Sequence, residues 1–274
     1  SLPKDISSLL SQKVSHVIAQ GNVKIIRRCY DHILTIKGRL LQSDGEDYCV
    51  YSLSRLSGAD VIDKHMIRYL SPESDMPESK PLEYYLGHSD PITSVHAICD
   101  RYAAMTAPVL IIGERGTGKD SFAYDIYSHS NLKHNSFIFI DVSLLDERGW
   151  NFLLKSENSP LMGSGFTIYF SRMNKAPAEQ RHQLRIFLKA SRIATSNRLL
   201  FSYTAEPGEA LQDDLYLYLA ETLRCLQLHI PPLSQRREDI PTLVGLYINA
   251  VNVQHGTRVI GLTHGAMLAL QNHT

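Results

Sequence analysis

The sequence has few of the features that mark secreted, metal-binding, DNA-binding or membrane proteins. Its 274 residues include only four cysteines, which lack the paired spacing of a zinc site or a disulfide framework. Basic and acidic side chains balance at 28 each, so the chain lacks the basic surface of a self-sufficient DNA-binding domain. No apolar run is long enough to cross a bilayer and no signal peptide is evident. These absences predict a soluble, cytoplasmic protein with reduced thiols, no membrane contact and no histidine or cysteine metal site.

The length and one proline-rich stretch predict two units. A chain of 274 residues is long enough for two domains, each with its own core. Residues 71–81 contain three prolines among serine and acidic residues, a composition that disfavours both helix and strand. We therefore predict a first unit at residues 1–70 and a linker at residues 71–86, followed by a second, larger unit.

The first unit has the pattern of a small α+β fold. Apolar residues at helical spacing predict a helix over residues 6–20, and β-rich runs predict strands at residues 29–36 and 48–53. Turns are predicted at residues 37–38 and 43–45. A helix followed by an antiparallel meander resembles the C-terminal half of a PAS sensor domain, which implies a sensing role. An ordinary small α+β cap or dimerisation element is the alternative, because the unit contains no diagnostic motif.

A glycine-rich segment after residue 112 carries the strongest signal in the chain. Residues 109–112 form an apolar run that predicts a buried strand, and a helical pattern follows the segment. Between them, Gly113, four further residues, Gly118 and Lys119 match the loop whose backbone N–H groups wrap phosphates while the lysine supplies a positive charge. The helix N-terminus behind the loop also favours an anion. The candidate nucleotide-binding residues are Gly113, Glu114, Arg115, Gly116, Thr117, Gly118, Lys119, Asp120 and Ser121.

Asp120 departs from the common form of this loop. The usual residue there is serine or threonine, whose hydroxyl binds magnesium. Either Ser121 takes over that role or metal binding is weakened. A glycine-rich turn without any ligand is the alternative interpretation of the whole segment.

From residue 82 onward the chain resembles the AAA+ ATPase domain of bacterial enhancer-binding proteins, the sigma-54-dependent transcription activators. The phosphate-binding loop carries the resemblance together with residues 87–92 and 228–240, the latter similar to the family's junction between its α/β core and its helical lid. The resemblance implies a P-loop core with a parallel sheet flanked by helices at residues 87–235 and the beginning of a helical lid at residues 236–274. It also implies ATP or ADP as the ligand, with or without Mg²⁺, self-association, and DNA binding through a C-terminal domain beyond this chain.

The catalytic strand end of that family is altered in this sequence. The strand at residues 166–170 ought to end in Asp-Glu, of which the first residue orients magnesium and water and the second acts as the base. Ser171 and Arg172 stand there instead. A serine cannot supply the negative charge that the metal favours, and an arginine cannot accept a proton. We therefore identify no confident catalytic residue and no metal ligand.

Four further positions depart from the family pattern. Thr204 replaces the asparagine of a sensor strand, and Asp141 replaces an asparagine that couples the site to the remodelling loop. Gln212 and Tyr218 stand where the family has arginine fingers. Because an arginine finger is worth on the order of 10³ to 10⁵ in rate, turnover near background is expected.

The family's sigma-54-contacting loop has no counterpart in the sequence. The family places a long loop with a Gly-Ala-Phe-Thr-Gly-Ala signature between two core strands, and this chain has only residues 141–165 there. We therefore expect a degenerate member that binds nucleotide as a regulatory ligand and does not contact sigma-54 RNA polymerase in the usual manner. Two alternatives remain: an active ATPase that remodels the transcription machinery with a displaced acid such as Asp141 or Asp146, and a nucleotide-free oligomerisation scaffold.

Three arginines near the lid junction form a last candidate group. Arg224, Arg236 and Arg237 offer positive charge to a ligand such as a cyclic dinucleotide. Surface ion pairs with Glu238 and Asp239 explain them more simply, and we predict exposed arginines here.

Overall fold

A computed structural model describes residues 22–29, 32–43, 46–55, 66–70, 89–206, 208 and 211–273. The helix predicted at residues 6–20 and the linker predicted at residues 71–86 lie outside the described residues. In the part of the chain that is described, no helix is both long and apolar enough to cross a membrane.

The first sheet is an antiparallel meander of three strands. Its strands are β1 (Asn22–Cys29), β2 (His32–Ser43) and β3 (Glu46–Arg55). The central strand β2 pairs with β1 on one side and with β3 on the other. The strand predicted at residues 48–53 lies within β3. The likeness to a PAS domain stays a prediction, because the helix that it requires is outside the described residues.

Two local predictions for this sheet are wrong. The strand predicted at residues 29–36 is divided between β1 and β2. The turn predicted at residues 37–38 lies inside β2, where Gly38 pairs with Val23 of β1 and with Tyr51 of β3. Pairing on both sides satisfies the backbone groups of β2, which offsets the weak strand preference of glycine.

The second sheet has six strands among the described residues. They are β4 (Ile67–Leu70), β5 (Val109–Gly113), β6 (Phe137–Asp141), β7 (Thr167–Ser171), β8 (Arg198–Thr204) and β9 (Leu226–Ile230). Their spatial order is β4-β6-β7-β8-β5-β9. β4 is antiparallel to β6, whereas all other neighbours are parallel. The predicted parallel α/β sheet is confirmed, and β4, from the end of the predicted first unit, forms one edge of it.

The described residues also form eight α-helices. They are α1 (Asp90–Ala103), α2 (Lys119–Ser128), α3 (Glu147–Lys155), α4 (Ala178–Ala190), α5 (Ile193–Ser196), α6 (Asp214–Leu217), α7 (Ile240–His255) and α8 (His264–Gln271). A π-helical turn, Tyr218–Thr222, continues α6. Local capping agrees with the sequence, since Asp146 caps α3 and Thr263 caps α8 through their side-chain oxygens.

The apolar strands explain why the sheet is covered twice. In β5, Leu110 and Ile112 belong to one buried cluster, while Val109 and Ile111 belong to the other. Successive side chains of a strand point to opposite faces, so an unbroken apolar run requires packing on both sides. Helices α1 and α2 cover the second face, and α3, α4 and α6 cover the first.

The segment between β6 and β7 packs into the core. It contains α3 and two 3₁₀ turns, Val142–Leu144 and Pro160–Met162. Trp150, Leu153 and Leu161 from this segment are buried in the cluster on the first face. The segment therefore lies against the sheet and adds to its stability.

Parallel register brings four predicted site residues to one edge of the sheet. Gly113 at the end of β5 pairs with Thr204 at the end of β8, and Asp141 at the end of β6 pairs with Ser171 at the end of β7. Ligands of open α/β sheets bind at the carboxyl ends of the strands. This edge is therefore the place to look for a site.

Candidate nucleotide-binding site

A cleft of about 2070 Å³ opens at the carboxyl ends of the strands. One wall is the loop of residues 114–118 with the start of α2, and a second is formed by the ends of β7 and β8. The region around residues 232–247, together with Leu270 and His273, completes the lining. The cleft thus lies between the α/β core and the first helices of the predicted lid.

The loop has the backbone shape that its glycines predict. Gly116 and Gly118 have φ of +81° and +88°, a left-handed region that costs other residues roughly 1–2 kcal/mol. The Thr117 hydroxyl donates to the Glu114 carbonyl at 2.9 Å and closes the turn. The loop is therefore held in this shape partly by its own hydrogen bonds.

Lys119 is folded back onto this loop. Its ammonium donates to the Gly113 carbonyl at 2.9 Å and to the Glu114 carbonyl at 2.7 Å, and the residue is only 8% exposed. Burial lowers the pKa of Lys119, an effect that the Asp120 and Glu206 carboxylates oppose. An ammonium group has three N–H donors, so a phosphate at the loop can bind it with little rearrangement.

Asp120 faces the end of β7. One of its carboxylate oxygens, Oδ1, accepts hydrogen bonds from the Tyr169 hydroxyl at 2.6 Å and from the Ser171 hydroxyl at 2.8 Å. Ser171 is fully buried, and Ser121, the other candidate for the hydroxyl role, is buried along the cleft. The structure therefore joins two predicted site residues that are 51 positions apart.

Arg172 directly follows β7, at the position where the family resemblance predicts a catalytic base. Its backbone is left-handed, with φ of 60°. Its backbone N–H donates to the Ser202 hydroxyl at 3.0 Å. Its guanidinium lies 2.6 Å from one carboxylate oxygen of Asp141, and the other oxygen accepts from the backbone and hydroxyl of Ser143. Both oxygens of Asp141 are thus engaged, one by the Arg172 guanidinium and the other by Ser143.

Asp146, the other candidate acid, acts as the N-cap of the adjacent helix α3. Its carboxylate accepts from the Gly149 N–H at 2.7 Å and caps the first turn of α3. A carboxylate in this position stabilises the orphan N–H groups of the helix. Asp146 does not line the cleft among the residues described there.

The three remaining predicted positions have different surroundings. Thr204 lines the cleft, and its backbone N–H donates to the Asn174 side chain at 3.2 Å. Gln212 also lines the cleft and is exposed. Tyr218 instead packs against the apolar cluster on the first face of the sheet, where burial raises its pKa. The structure therefore brings Thr204 and Gln212 to the site but not Tyr218.

Arg236 was predicted to be exposed, and this prediction is wrong. The residue is 5% exposed and donates from Nη2 to the Thr117 carbonyl of the loop at 3.2 Å. Burial lowers its pKa, against the effect of Asp239. Two 3₁₀ turns, Leu233–Gln235 and Arg237–Asp239, fold the chain back onto the loop. Side-chain spacing alone gave no signal for this contact.

Two atoms of Arg236 make it a candidate ligand contact. Within the described part of the chain, its buried Nε and Nη1 have no hydrogen-bond partner, and the residue lines the cleft. Buried donors without a partner are costly. An anionic group in the cleft would satisfy them.

The fold and the loop define a P-loop AAA+ domain, and comparison with known proteins narrows this class. Residues 85–158 match the family model of the sigma-54 interaction domain. NtrX, a nitrogen assimilation regulatory protein of Azorhizobium caulinodans, is 26% identical over 212 residues, which are 69% of this chain and 46% of that protein. A Nif-specific regulatory protein of Azotobacter vinelandii is 26% identical over 221 residues, 69% of this chain and 40% of that protein.

A solved structure supports the same fold. The crystal structure of NtrX from Brucella abortus in complex with ATP superposes with a TM-score of 0.58 at 21% identity, over 69% of this chain and 48% of that one. The chain spans less than half the length of the relatives described here. Residues 85–158 are thus similar to the sigma-54 interaction domain, and the wider chain is similar to these bacterial regulatory proteins.

Proposed function

We propose that this chain binds ATP or ADP in the cleft as a regulatory ligand, within a bacterial transcriptional regulator. The observation that carries the proposal is the loop with left-handed Gly116 and Gly118 and with the Lys119 ammonium held at its carbonyls. The buried guanidinium of Arg236 adds a second cation beside the same loop. NtrX from Brucella abortus, whose fold is similar, has been solved in complex with ATP, which supports ATP as the ligand proposed here.

We also propose that this chain hydrolyses ATP inefficiently. The position of the catalytic base carries Arg172, which is paired with Asp141, while Asp146 caps a helix. Gln212 and Tyr218 supply no cation to a neighbouring subunit. Loss of an arginine finger alone costs on the order of 10³ to 10⁵ in rate, about 4–7 kcal/mol of activation barrier. Nucleotide occupancy would then set the angle between core and lid, or the oligomeric state.

The partner assignments follow from the family likeness and are part of the proposal. Self-association and DNA binding through a separate C-terminal domain are expected from the regulators that this chain resembles. The usual contact with sigma-54 RNA polymerase is not expected, because the β6–β7 segment carries buried Trp150 and Leu153 on a helix that lies against the sheet.

Replacement of Lys119 by alanine tests the proposal most directly. The wild-type chain is expected to bind ATP in the presence of Mg²⁺, and Lys119→Ala to bind roughly 10- to 150-fold more weakly, because a hydrogen bond to a charged group contributes about 1.5–3 kcal/mol. Isothermal titration calorimetry measures both affinities. Lys189→Ala, an exposed lysine on α4, is the matched control. Absence of binding by the wild type at high nucleotide concentration would contradict the proposal. It would favour the alternative that the chain is a nucleotide-free oligomerisation scaffold.

Measurement of phosphate release tests separately the proposal that the chain hydrolyses ATP inefficiently. Steady-state release by the wild-type chain is expected to equal that of Lys119→Ala, because Arg172, at the position expected for the catalytic base, is paired with Asp141. Release that Lys119→Ala abolishes would show an active ATPase. Asp141→Asn would then reveal whether Asp141 is the displaced base.

A further inference from the structure

Two functional groups of the ordinary magnesium site have exchanged positions in this chain. In P-loop NTPases a hydroxyl at the start of the helix and a carboxylate at the end of a neighbouring strand together hold Mg²⁺. Here Asp120 stands at the start of α2 and Ser171 at the end of β7, and their side chains are 2.8 Å apart. The carboxylate and the hydroxyl are both present, on opposite sides of the same gap.

We propose that Asp120 and Ser171 form an exchanged Mg²⁺ site, in which the nucleotide-bound metal is ligated by the carboxylate of α2 instead of one from β7. The inference rests on the proposed nucleotide binding. It replaces the expectation, drawn from the sequence, that metal binding is weakened or that Ser121 supplies the hydroxyl.

The hydrogen bonds around Asp120 suit a metal ligand. Both hydroxyls, those of Tyr169 and Ser171, donate to Oδ1, so Oδ2 is the oxygen that can take the metal. Carboxylates that bind metals are commonly oriented by such hydrogen bonds.

The metal site is complete only when nucleotide is bound, because the protein alone supplies too few ligands. Within the described residues, no group of three or more histidine, cysteine, aspartate or glutamate side chains could hold a metal. Mg²⁺ typically uses one or two carboxylates and completes its shell with phosphate oxygens and water. Asp120 lines the same cleft as the loop and Lys119. Without the metal, its negative charge would repel the phosphates.

A purely structural role for Asp120 makes a different prediction. As a tether between α2 and β7, its contribution would depend on the two hydrogen bonds and not on its charge. Asp120→Asn separates the two roles, because the amide keeps an oxygen that accepts both hydroxyls but loses the charge that binds Mg²⁺.

The experiment compares ATP binding by calorimetry in Mg²⁺ and in EDTA. For the wild type we expect ATP to bind at least about tenfold more tightly with Mg²⁺. Asp120→Asn should bind ATP equally in both buffers, with an unchanged melting temperature. The double variant Asp120→Ser/Ser171→Asp should regain the dependence on Mg²⁺, because it restores the carboxylate to β7. Asp100→Ser removes an exposed acid of α1 and should behave like the wild type.

Any of the following four results would contradict the inference of an exchanged Mg²⁺ site. Wild-type binding that is equal in the two buffers overturns the exchanged site but leaves nucleotide binding intact. An Asp120→Asn variant that keeps the full Mg²⁺ dependence also overturns it, as does a folded double variant without that dependence. Absence of ATP binding by the wild type in both buffers overturns the proposed function and this inference together.

Discussion

Truncation of Phe201 to alanine is expected to lower the free energy of unfolding of the α/β core by about 3–5 kcal/mol. Phe201 is fully buried in β8, near the centre of the six-stranded sheet. It pairs in register with Phe170 of β7, and the two rings stack at a centroid distance of 5.2 Å and an interplanar angle of 9°. The truncation removes the transfer free energy of the ring and leaves a cavity in the apolar cluster on this face of the sheet.

Urea denaturation followed by tryptophan fluorescence measures this loss. The chain has one tryptophan, and Trp150 is 2% exposed in the same apolar cluster as Phe201, so its emission reports on this core. Ile186→Ala is the matched control, because Ile186 on α4 is 53% exposed; a change within about 0.5 kcal/mol is expected there. A loss below about 1 kcal/mol for Phe201→Ala would contradict the packing described.

Replacement of Asp239 by alanine is expected to cost a similar amount, about 3–5 kcal/mol, because it breaks a buried charged network. The Asp239 carboxylate is almost fully buried and accepts from the backbone N–H of Ser89 at 3.0 Å and from its hydroxyl at 2.6 Å. It also faces the buried guanidinium of Arg236. Alanine leaves the Ser89 donors unsatisfied and Arg236 without its compensating charge.

The same denaturation assay tests this prediction, with ATP titration as a second readout. Arg236 donates to the Thr117 carbonyl of the phosphate-binding loop, so Asp239→Ala is expected to weaken ATP binding as well as stability. Glu238→Ala is the control, since Glu238 is the exposed neighbour in the sequence. Equal stability of the two variants would show that the network contributes nothing.

Much of the α/β fold could be predicted from short segments of sequence. The apolar run at residues 109–112 predicted a buried strand, and the family resemblance of the chain implied the parallel sheet around it. The loop with Gly116, Gly118 and Lys119 was predictable because its glycines and lysine are close together in the chain. The meander before it was predicted only in part, since the paired edges of β2 outweighed the turn preference of Gly38.

The sequence by itself determined the apolar strands, the loop with Lys119, the helix caps and the absence of Asp-Glu at Ser171 and Arg172, because each depends on residues close together in the chain. Only the tertiary structure decided where side chains from different elements meet. Parallel pairing brought Ser171 to Asp120 and Arg172 to Asp141, and the fold of the lid junction buried Arg236 against the loop. These contacts join residues from 31 to 119 positions apart. Their geometry is set by strand order and helix packing, which no local pattern encodes.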